Sequence, residues 1–275
     1  MDFIGIGAQK SGTSWLYACL YEHPEICAPI KELHFFSRDR YQKGLKWYEQ
    51  HFATCSQQKK RGEFSTSYLY SNEAAKRIHG AYPEAKIIVS LRNPIDRAFS
   101  QYRNAIKAGE IEPTVNFESY IKTEPSAFKQ GYYTGQLRRY FEYFDPKQIH
   151  IIIYEDIKKD PRRVIKEIYR FLNIDESFVP EMLERKVNVA RTPRFVWIDK
   201  VMTRLAEGLR KLGLDRVVWI IKKSPLPDFI RSLNTRRNKV ELSDQTREKL
   251  KKIYRDEVVQ LSELLKRDLS KEWGI

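Results

Sequence analysis

The chain has few cysteines, and their spacing suits neither a metal site nor a disulfide framework. Cys19, Cys27 and Cys55 are the three cysteines among 275 residues, and no two of them form a Cys-x-x-Cys pair. Structural zinc sites and disulfide-rich domains both need closer or more numerous cysteines. We therefore expect three reduced thiols.

Long apolar runs are also lacking. No stretch approaches the roughly 20 apolar residues that a membrane-spanning helix needs. The first apolar segment begins within two residues of Met1, which leaves no room for a secretion signal. We find no internal repeat and no low-complexity tract. If the chain is complete, we expect a cytoplasmic protein.

Acidic residues are fewer than basic ones: the chain has 36 Asp and Glu and 50 Lys and Arg, which gives a net charge of +14. Such a charge attracts nucleotides, acidic polysaccharides, nucleic acids or anionic membranes, without choosing among them. The length and the 41% hydrophobic content suit one large domain. We expect a single domain over 1–275, with a ligand-binding core over 1–190 and a helical extension over 195–275.

The segment from Phe3 to Trp15, FIGIGAQKSGTSW, predicts a buried strand, a tight turn and a helix over Thr13 to Tyr21. Such a turn directs backbone N–H groups and a helix N-terminus at one point, which makes an anion site. Gly7 and Gly12 have the spacing of a nucleotide-binding P-loop. The lysine, however, lies inside the loop at Lys10 and not after the second glycine.

Buried strands are predicted over 86–91 and 148–154, with shorter strands over 26–28 and 62–66. Because helical segments alternate with them, we predict an α/β fold: a P-loop-type central parallel sheet flanked by helices, with a helical C-terminal extension. Ligands bind beyond the carboxyl ends of the strands in such sheets. Lys10, Arg92 and Tyr154 each follow a strand end.

No acidic residue ends the strand over 86–91, where a magnesium-dependent NTPase would hold its metal. Arg92 stands there, and Ser100 follows eight residues later. A guanidinium and a hydroxyl suit a second phosphate. We therefore expect a donor with phosphate at two places and no metal. Alternatively, Arg92 pairs with a carboxylate such as Asp96, and Ser100 is a surface residue.

Three motifs resemble the sulfotransferases that use 3′-phosphoadenosine 5′-phosphosulfate, or PAPS. They are QKSGTSW at 9–15, LRNPIDRAFS at 91–100 and YEDIKKDP at 154–161 followed by a predicted helix. Three further segments are similar to the glycan branch of that family, the heparan sulfate sulfotransferases. These are KELHFF at 31–36, YQKGLKWY at 41–48 and GYY at 131–133.

The resemblance implies a binding site for PAPS and for its product, 3′-phosphoadenosine 5′-phosphate. The 5′-phosphosulfate is expected at Lys10, Ser11, Gly12, Thr13 and Ser14, and the 3′-phosphate at Arg92 and Ser100. Trp15 matches an adenine-stacking tryptophan, and Tyr154 matches a tyrosine that contacts the cofactor. A packing role in the helix core remains an alternative for Trp15.

The resemblance also implies sulfuryl transfer to a hydroxyl, or an amine, of a carbohydrate or other small acceptor. Lys10 would stabilise charge on the oxygen between sulfur and phosphorus. Glu32 matches the general base of the glycan enzymes. His34 is the competing base, because an imidazole titrates nearest to neutral pH. In the alternative interpretation Glu32 pairs with Lys31 or Arg38, and His34 is a packing residue.

Two positions depart from the glycan branch. Phe64 stands where that branch has a lysine, which puts a heparan-like acceptor in doubt. The late Lys-Gly element that contacts the 3′-phosphate has only a weak counterpart, with Arg191 and Arg194 as candidates.

The predicted amphipathic helix over 195–223 carries basic residues opposite an apolar face, which suits peripheral contact with an anionic membrane. A core-facing or dimer-forming helix has the same pattern. Two other functions stay open: a P-loop kinase-like phosphotransferase acting on a small molecule, and a basic nucleic-acid-binding protein. We expect no nucleic-acid partner, because the basic residues are dispersed. The sequence does not indicate an oligomeric state.

Overall fold

The structure is a computed structural model that describes residues 1–56, 59–184 and 241–275. The predictions for Arg191, Arg194 and the membrane-binding helix over 195–223 lie outside these residues. The predicted boundary between the ligand-binding core and the helical extension also lies outside the described residues, so it stays a prediction.

A five-stranded parallel sheet forms the centre of the molecule, as predicted. Its strands are β1 (Phe3–Gly7), β2 (Ile26–Cys27), β3 (Lys60–Phe64), β4 (Lys86–Leu91) and β5 (Ile149–Ile153). Their order across the sheet is β2-β3-β1-β4-β5. The carboxyl ends of all five strands therefore lie at one edge.

The side chains of β4 show why this run forms a central strand. Ile87, Val89 and Leu91 enter one hydrophobic cluster, and Ile88 enters a second cluster on the other face. Successive side chains of a strand point to opposite faces, so a continuous apolar run buries both faces. The predicted parallel strand is confirmed.

Helices cover both faces of the sheet. In the described residues they are α1 (Thr13–Tyr21), α2 (Leu45–Gln50), α3 (Ala74–Ala81), α4 (Pro94–Ala108), α5 (Phe117–Thr123), α6 (Pro125–Lys129), α7 (Tyr133–Phe141), α8 (Tyr154–Lys159), α9 (Pro161–Leu172), α10 (Asp244–Leu265) and α11 (Leu269–Trp273). Short 3₁₀ turns span Phe35–Ser37, Asp39–Lys43, Pro146–Gln148 and Glu181–Glu184.

The helix boundaries follow the predicted capping residues. The Asn93 side chain accepts from the backbone N–H of Ile95 at 3.0 Å, and Pro94 occupies the first turn of α4. Ser243 caps α10 in the same manner. Some strands differ from their predicted bounds: Tyr154 begins helix α8 and does not end β5, and β3 spans Lys60–Phe64 and not 62–66.

The prediction of three reduced thiols is wrong. Cys27 and Cys55 form a disulfide, with Cα atoms 5.6 Å apart, and Cys19 alone is a free, buried cysteine. The sheet register explains the pairing, because Cys27 pairs with Arg61 and so brings the segment before β3 beside β2. A sequence separation of 28 residues does not reveal such a contact.

The described part of the chain contains no helix that is both long and apolar enough to cross a membrane. The long helix α10 packs on the domain. Its Leu250, Tyr254 and Val258 belong to the larger hydrophobic cluster together with residues of α4 and α7. This part of the predicted helical extension is therefore integral to the core.

Candidate functional site

A cleft of ≈ 1470 Å³ opens at the carboxyl edge of the sheet. Almost all the predicted site residues within the described ranges contribute to its lining. They are Lys10, Gly12, Thr13, Ser14, Trp15, Glu32, His34, Arg92, Ser100 and Tyr154. Segments far apart in sequence thus converge on one space, as the parallel sheet predicts.

Ser11 is the exception among the predicted residues of the loop. It is fully buried, and its carbonyl accepts a 2.6 Å hydrogen bond from Ser90 Oγ on β4. The Ser11 Oγ atom has no hydrogen-bond partner in the described residues. Ser11 therefore anchors the loop to the sheet, and its side chain does not face the cleft.

Gly12 is the tightest point of the loop. Its φ of 85° lies in the left-handed region, and a Cβ atom here would come within 2.9 Å of Cδ2 in the Tyr154 ring. The Gly12 carbonyl accepts from the N–H groups of Trp15 and Leu16 and so starts α1. Only glycine meets both requirements without strain.

Arg92 is held from three sides. Its Nη1 donates to the Lys10 carbonyl at 3.1 Å, and its guanidinium carbon lies 4.7 Å from the centre of the Tyr154 ring. Tyr133 OH donates to the Arg92 carbonyl at 2.9 Å. The alternative ion pair with Asp96 is not formed, because Asp96 contacts Arg247 at 2.9 Å. The Arg92 Nε atom is buried without a partner in the described residues.

Lys10 lies in a strongly positive environment. Burial lowers the pKa of its ammonium group, and the charges of Lys107, Arg92 and Lys31 lower it further. An anion bound among these groups would offset the repulsion between their positive charges. The loop is therefore prepared for a ligand with several negative charges.

Glu32 projects into the cleft from a sharply turned segment, with a positive φ of 63°. Its carboxylate lies 2.8 Å from Lys31 Nζ and accepts from the Thr66 N–H at 3.1 Å. The Thr66 hydroxyl donates at 3.0 Å to the same carboxylate. The predicted alternative pairing with Lys31 is thus present, while the carboxylate still lines the cleft.

His34 stands beside Glu32 on the same turn. Its Nε2 lies 3.2 Å from Oε2 of Glu32, and its Nδ1 lies 2.6 Å from Ser67 Oγ. Because a carboxylate only accepts, Nε2 carries the proton and Ser67 donates to Nδ1. Both ring nitrogens of His34 are therefore engaged in this neutral form.

The pKa shifts of this pair reflect its surroundings. Burial alone would raise the pKa of Glu32, but the hydrogen bond and charge of Lys31 and the N–H of Thr66 lower it overall. Burial lowers the pKa of His34, and Arg38 and Arg40 add to this effect against the attraction of Glu32. Glu32 is therefore ionised and His34 is neutral near neutral pH.

Trp15 combines a packing role with a place in the cleft lining. It is only 9% exposed, belongs to the smaller hydrophobic cluster, and donates from Nε1 to the Met182 carbonyl at 3.3 Å. The packing alternative is therefore present in the structure. Stacking on adenine stays a prediction.

Several residues that hold the site together lie outside the sequence motifs. Thr66 and Ser67 position Glu32 and His34, and Lys107 adds charge near Lys10. The hydroxyl run that follows β3 was a usable signal, since hydroxyls after a strand end face the ligand edge. The role of Lys107 had no such local signal.

Among the described residues, no group of three or more His, Cys, Asp or Glu side chains is arranged to bind a metal ion.

Phe64, which departs from the pattern of the glycan branch, is a core residue. The ring is buried against Phe3 and Tyr17, and it fills the space beside Gly5. This side chain therefore belongs to the core and does not contact the cleft.

Two heparan sulfate sulfotransferases are similar to this chain. Over 193 residues the chain is 33% identical to the human bifunctional heparan sulfate N-deacetylase/N-sulfotransferase 3, which covers 62% of this chain and 22% of that protein. Over 180 residues it is 28% identical to the mouse heparan sulfate glucosamine 3-O-sulfotransferase 5, which covers 62% of this chain and 52% of that protein. The chain thus spans about a fifth to a half of the length of these relatives. The predicted resemblance to the heparan sulfate branch is confirmed.

A crystal structure of a sulfotransferase from Alicyclobacillus acidocaldarius superimposes with a TM-score of 0.72 at 26% sequence identity. The superposition covers 100% of this chain and 98% of that one. The sulfotransferase domain family matches residues 1–204, which contain all the motifs that line the cleft. This chain therefore belongs to the sulfotransferase domain family.

Proposed function

We propose that this chain transfers the sulfuryl group of PAPS to a hydroxyl, or an amine, of a carbohydrate or other small acceptor. One observation carries the proposal. A single cleft joins the basic loop around Lys10, the Arg92 and Ser100 pair, and the ionised Glu32. The donor's two phosphate positions and an acceptor-activating base are the parts that this reaction needs.

The residues present fit the donor. Arg92 Nε is a buried donor without a partner in the described residues, and Gly12 keeps the loop free of a side chain beside Tyr154. Lys10, Thr13 and Ser14 would hold the 5′-phosphosulfate, and Arg92 with Ser100 would hold the 3′-phosphate. These groups supply positive charge and hydroxyl donors, and the phosphate and sulfate oxygens accept hydrogen bonds from them.

When bound, PAPS supplies the sulfuryl group and leaves as 3′-phosphoadenosine 5′-phosphate. Lys10 would supply its ammonium charge to the oxygen that leaves with the phosphate, which would lower the barrier. A bound anion would oppose the lowering of the Lys10 pKa and so favour its ammonium form.

Glu32 takes the proton of the acceptor as the new bond to sulfur forms. Its carboxylate already accepts from four groups: the Lys31 ammonium, the N–H and hydroxyl of Thr66, and His34 Nε2. Two carboxylate oxygens offer about four lone-pair positions. An acceptor hydroxyl therefore takes the position of Lys31, whose ammonium ends the most flexible of these side chains. Thr66 and His34 then keep the carboxylate oriented.

The relatives' names point to sulfated glycans, which makes a carbohydrate the first acceptor class to test. Tyr70 and Arg38 line the same cleft near Thr66 and His34, and offer an aromatic face and a positive charge to such a ligand. A cytoplasmic location stays a prediction.

Calorimetric titration with 3′-phosphoadenosine 5′-phosphate tests the donor assignment. We expect tight binding of the bisphosphate, weak binding of ATP with Mg²⁺, and a loss of about 100-fold in bisphosphate affinity in Arg92→Ala, since a charge-assisted contact is removed. Arg77→Ala is the matched control. Arg77 also stacks on a tyrosine, with its guanidinium carbon 4.4 Å from the Tyr41 ring centre, and does not line the cleft.

Preference for ATP with Mg²⁺ would replace this proposal with the kinase-like one. Equal indifference to both nucleotides would favour the nucleic-acid-binding alternative. A bisphosphate affinity that falls equally in Arg92→Ala and Arg77→Ala would contradict the assigned 3′-phosphate site.

A further inference from the structure

Trp273 lies near the end of the chain, in helix α11, outside the residues that the family match covers. Its side chain is 7% exposed and packs in the larger hydrophobic cluster. Although it is distant in sequence from every motif of the cleft, its polar atoms contact two residues next to the site.

The sheet register sets up these contacts. Leu91 pairs with Ile153, so the next residues along the two strands, Arg92 and Tyr154, emerge side by side. One residue further on, Asn93 Nδ2 donates to the Trp273 carbonyl at 3.2 Å, and Trp273 Nε1 donates to Glu155 Oε2 at 3.2 Å. Trp273 therefore bridges the two chain segments that present Arg92 and Tyr154.

The segment that carries Trp273 is itself clamped to α8. Arg267 contacts both carboxylate oxygens of Asp156, at 2.5 Å and 3.0 Å, and also pairs with Glu272 at 2.7 Å. Bidentate pairs of this kind fix the geometry as well as the distance. The position of the indole relative to Glu155 is therefore defined from both sides.

Glu155 is the reason that this bridge matters for an anion site. Burial raises the pKa of Glu155, and the hydrogen bond from Trp273 and the charges of Lys158 and Arg92 oppose that rise. Glu155 directly follows Tyr154, whose ring centre lies 4.7 Å from the guanidinium carbon of Arg92, so its carboxylate belongs to the chain segment next to that guanidinium. Without the indole N–H, the carboxylate would compete with a phosphate for Arg92.

We propose that Trp273 is a positioning residue for the 3′-phosphate side of the site, which it keeps available by holding the Glu155 carboxylate away from Arg92. This inference rests on the proposed function, in which Arg92 binds that phosphate. It predicts an effect on 3′-phosphate recognition specifically, and not on nucleotide binding in general.

The test compares two nucleotides that differ only in the 3′-phosphate. Affinities for 3′-phosphoadenosine 5′-phosphate and for adenosine 5′-phosphate are measured by calorimetry on the wild-type chain, Trp273→Phe, Glu155→Gln and the double variant. Phenylalanine keeps an aromatic ring and the backbone carbonyl but removes the N–H donor. Trp47→Phe is the matched control, because Trp47 lies on α2 and packs against Phe35 and His51.

We expect Trp273→Phe to lower the bisphosphate affinity about fivefold to tenfold while the affinity for adenosine 5′-phosphate stays within twofold, the size of effect that one hydrogen bond supports. Glutamine at position 155 still accepts from the indole but has no charge to compete. We therefore expect Glu155→Gln to keep the wild-type preference and to rescue Trp273→Phe in the double variant.

A wild-type preference for the bisphosphate that Trp273→Phe leaves unchanged would overturn this inference alone. If the wild-type chain did not prefer the bisphosphate over adenosine 5′-phosphate, both this inference and the proposed function would be overturned. Melting curves establish that each variant is folded at the titration temperature. Should Trp273→Phe fold poorly, Arg267→Ala replaces it, because this variant releases the segment of Trp273 from α8. A reduced bisphosphate preference that Glu155→Gln restores supports the inference, and an unchanged preference contradicts it.

Discussion

Glu32 and His34 form a hydrogen-bonded pair across a single intervening residue, with Oε2 and Nε2 3.2 Å apart. Both residues have positive φ, at 63° and 55°, and this unusual backbone turns two side chains two residues apart toward the same cleft. Strained backbone of this kind concentrates at functional sites. The backbone N–H of His34 donates to Ser65 Oγ at 2.8 Å, which ties the turn to the residue after β3.

Glu32→Gln and His34→Asn distinguish the two candidate bases. Because Glu32 is ionised and lines the cleft while both nitrogens of His34 are engaged, we expect Glu32→Gln to lower kcat about 100-fold or more, and His34→Asn about tenfold. Sulfation of a glycan acceptor with radioactive PAPS is the measurement. A larger loss in His34→Asn would identify His34 as the base.

Lys10→Ala tests charge stabilisation in the loop. We expect kcat to fall about 100-fold to 1000-fold, the range found when one preorganised donor to a developing charge is removed. The fold should survive, because alanine at this left-handed position replaces another non-glycine residue with φ of 69°. Lys107→Ala is the control with a smaller expected loss. Full activity in Lys10→Ala would exclude its proposed role.

Gly12→Ala tests the close packing of the loop on Tyr154. The new Cβ would lie 2.9 Å from Cδ2 of the ring in a backbone conformation that disfavours alanine. We expect the free energy of unfolding to fall by about 1–3 kcal/mol and bisphosphate binding to weaken. Gly80→Ala on α3 is the control, since a Cβ added there would meet no atom within 4 Å, and it should be neutral or stabilising. Equal stability of the two variants would argue against strain at Gly12.

Glu63 should make stability depend on pH. Burial raises the pKa of its carboxyl to about 7, although Tyr68, Ser65 and Tyr48 donate hydrogen bonds to it. The unfolded chain loses this proton near pH 4.3, so the folded state binds more protons between about pH 4.3 and about pH 7. The stabilising contribution is complete at lower pH, and the free energy of unfolding falls as the pH rises through that window.

The measurement is urea denaturation at several pH values between about 5 and 8, on the wild-type chain and Glu63→Gln. Glutamine cannot ionise, so this variant should lose the part of the slope that Glu63 contributes. Parallel pH profiles for the two proteins would show that Glu63 does not titrate in this range.

Several features of the fold could be predicted because they have local causes. The helix after the loop begins at Thr13 and ends at Tyr21 as expected, and β4 spans the expected Lys86–Leu91. Apolar periodicity and capping side chains act within a few residues of the element that they define. The convergence of Lys10, Arg92 and Tyr154 followed from a general property of parallel sheets.

The disulfide and the bridge by Trp273 could not be predicted in that way. Cys27 meets Cys55 through the pairing of β2 with β3, and Trp273 meets Asn93 across 180 residues. Neither contact leaves a periodic or spaced signal, since each depends on which surfaces the complete sheet brings together.

The amino-acid sequence by itself determined the strand–loop–helix units, the residue types of the phosphate-binding motifs and the family to which they belong, since these depend on short-range spacing. Only the tertiary structure decided which side chains face the cleft and which hold it. Ser11 is buried and its carbonyl is bonded to β4, Thr66 orients Glu32, and Trp273 of α11 contacts Asn93 and Glu155 beside the site. Those outcomes depend on long-range packing, because a side chain's role is set by the neighbours that burial selects for it.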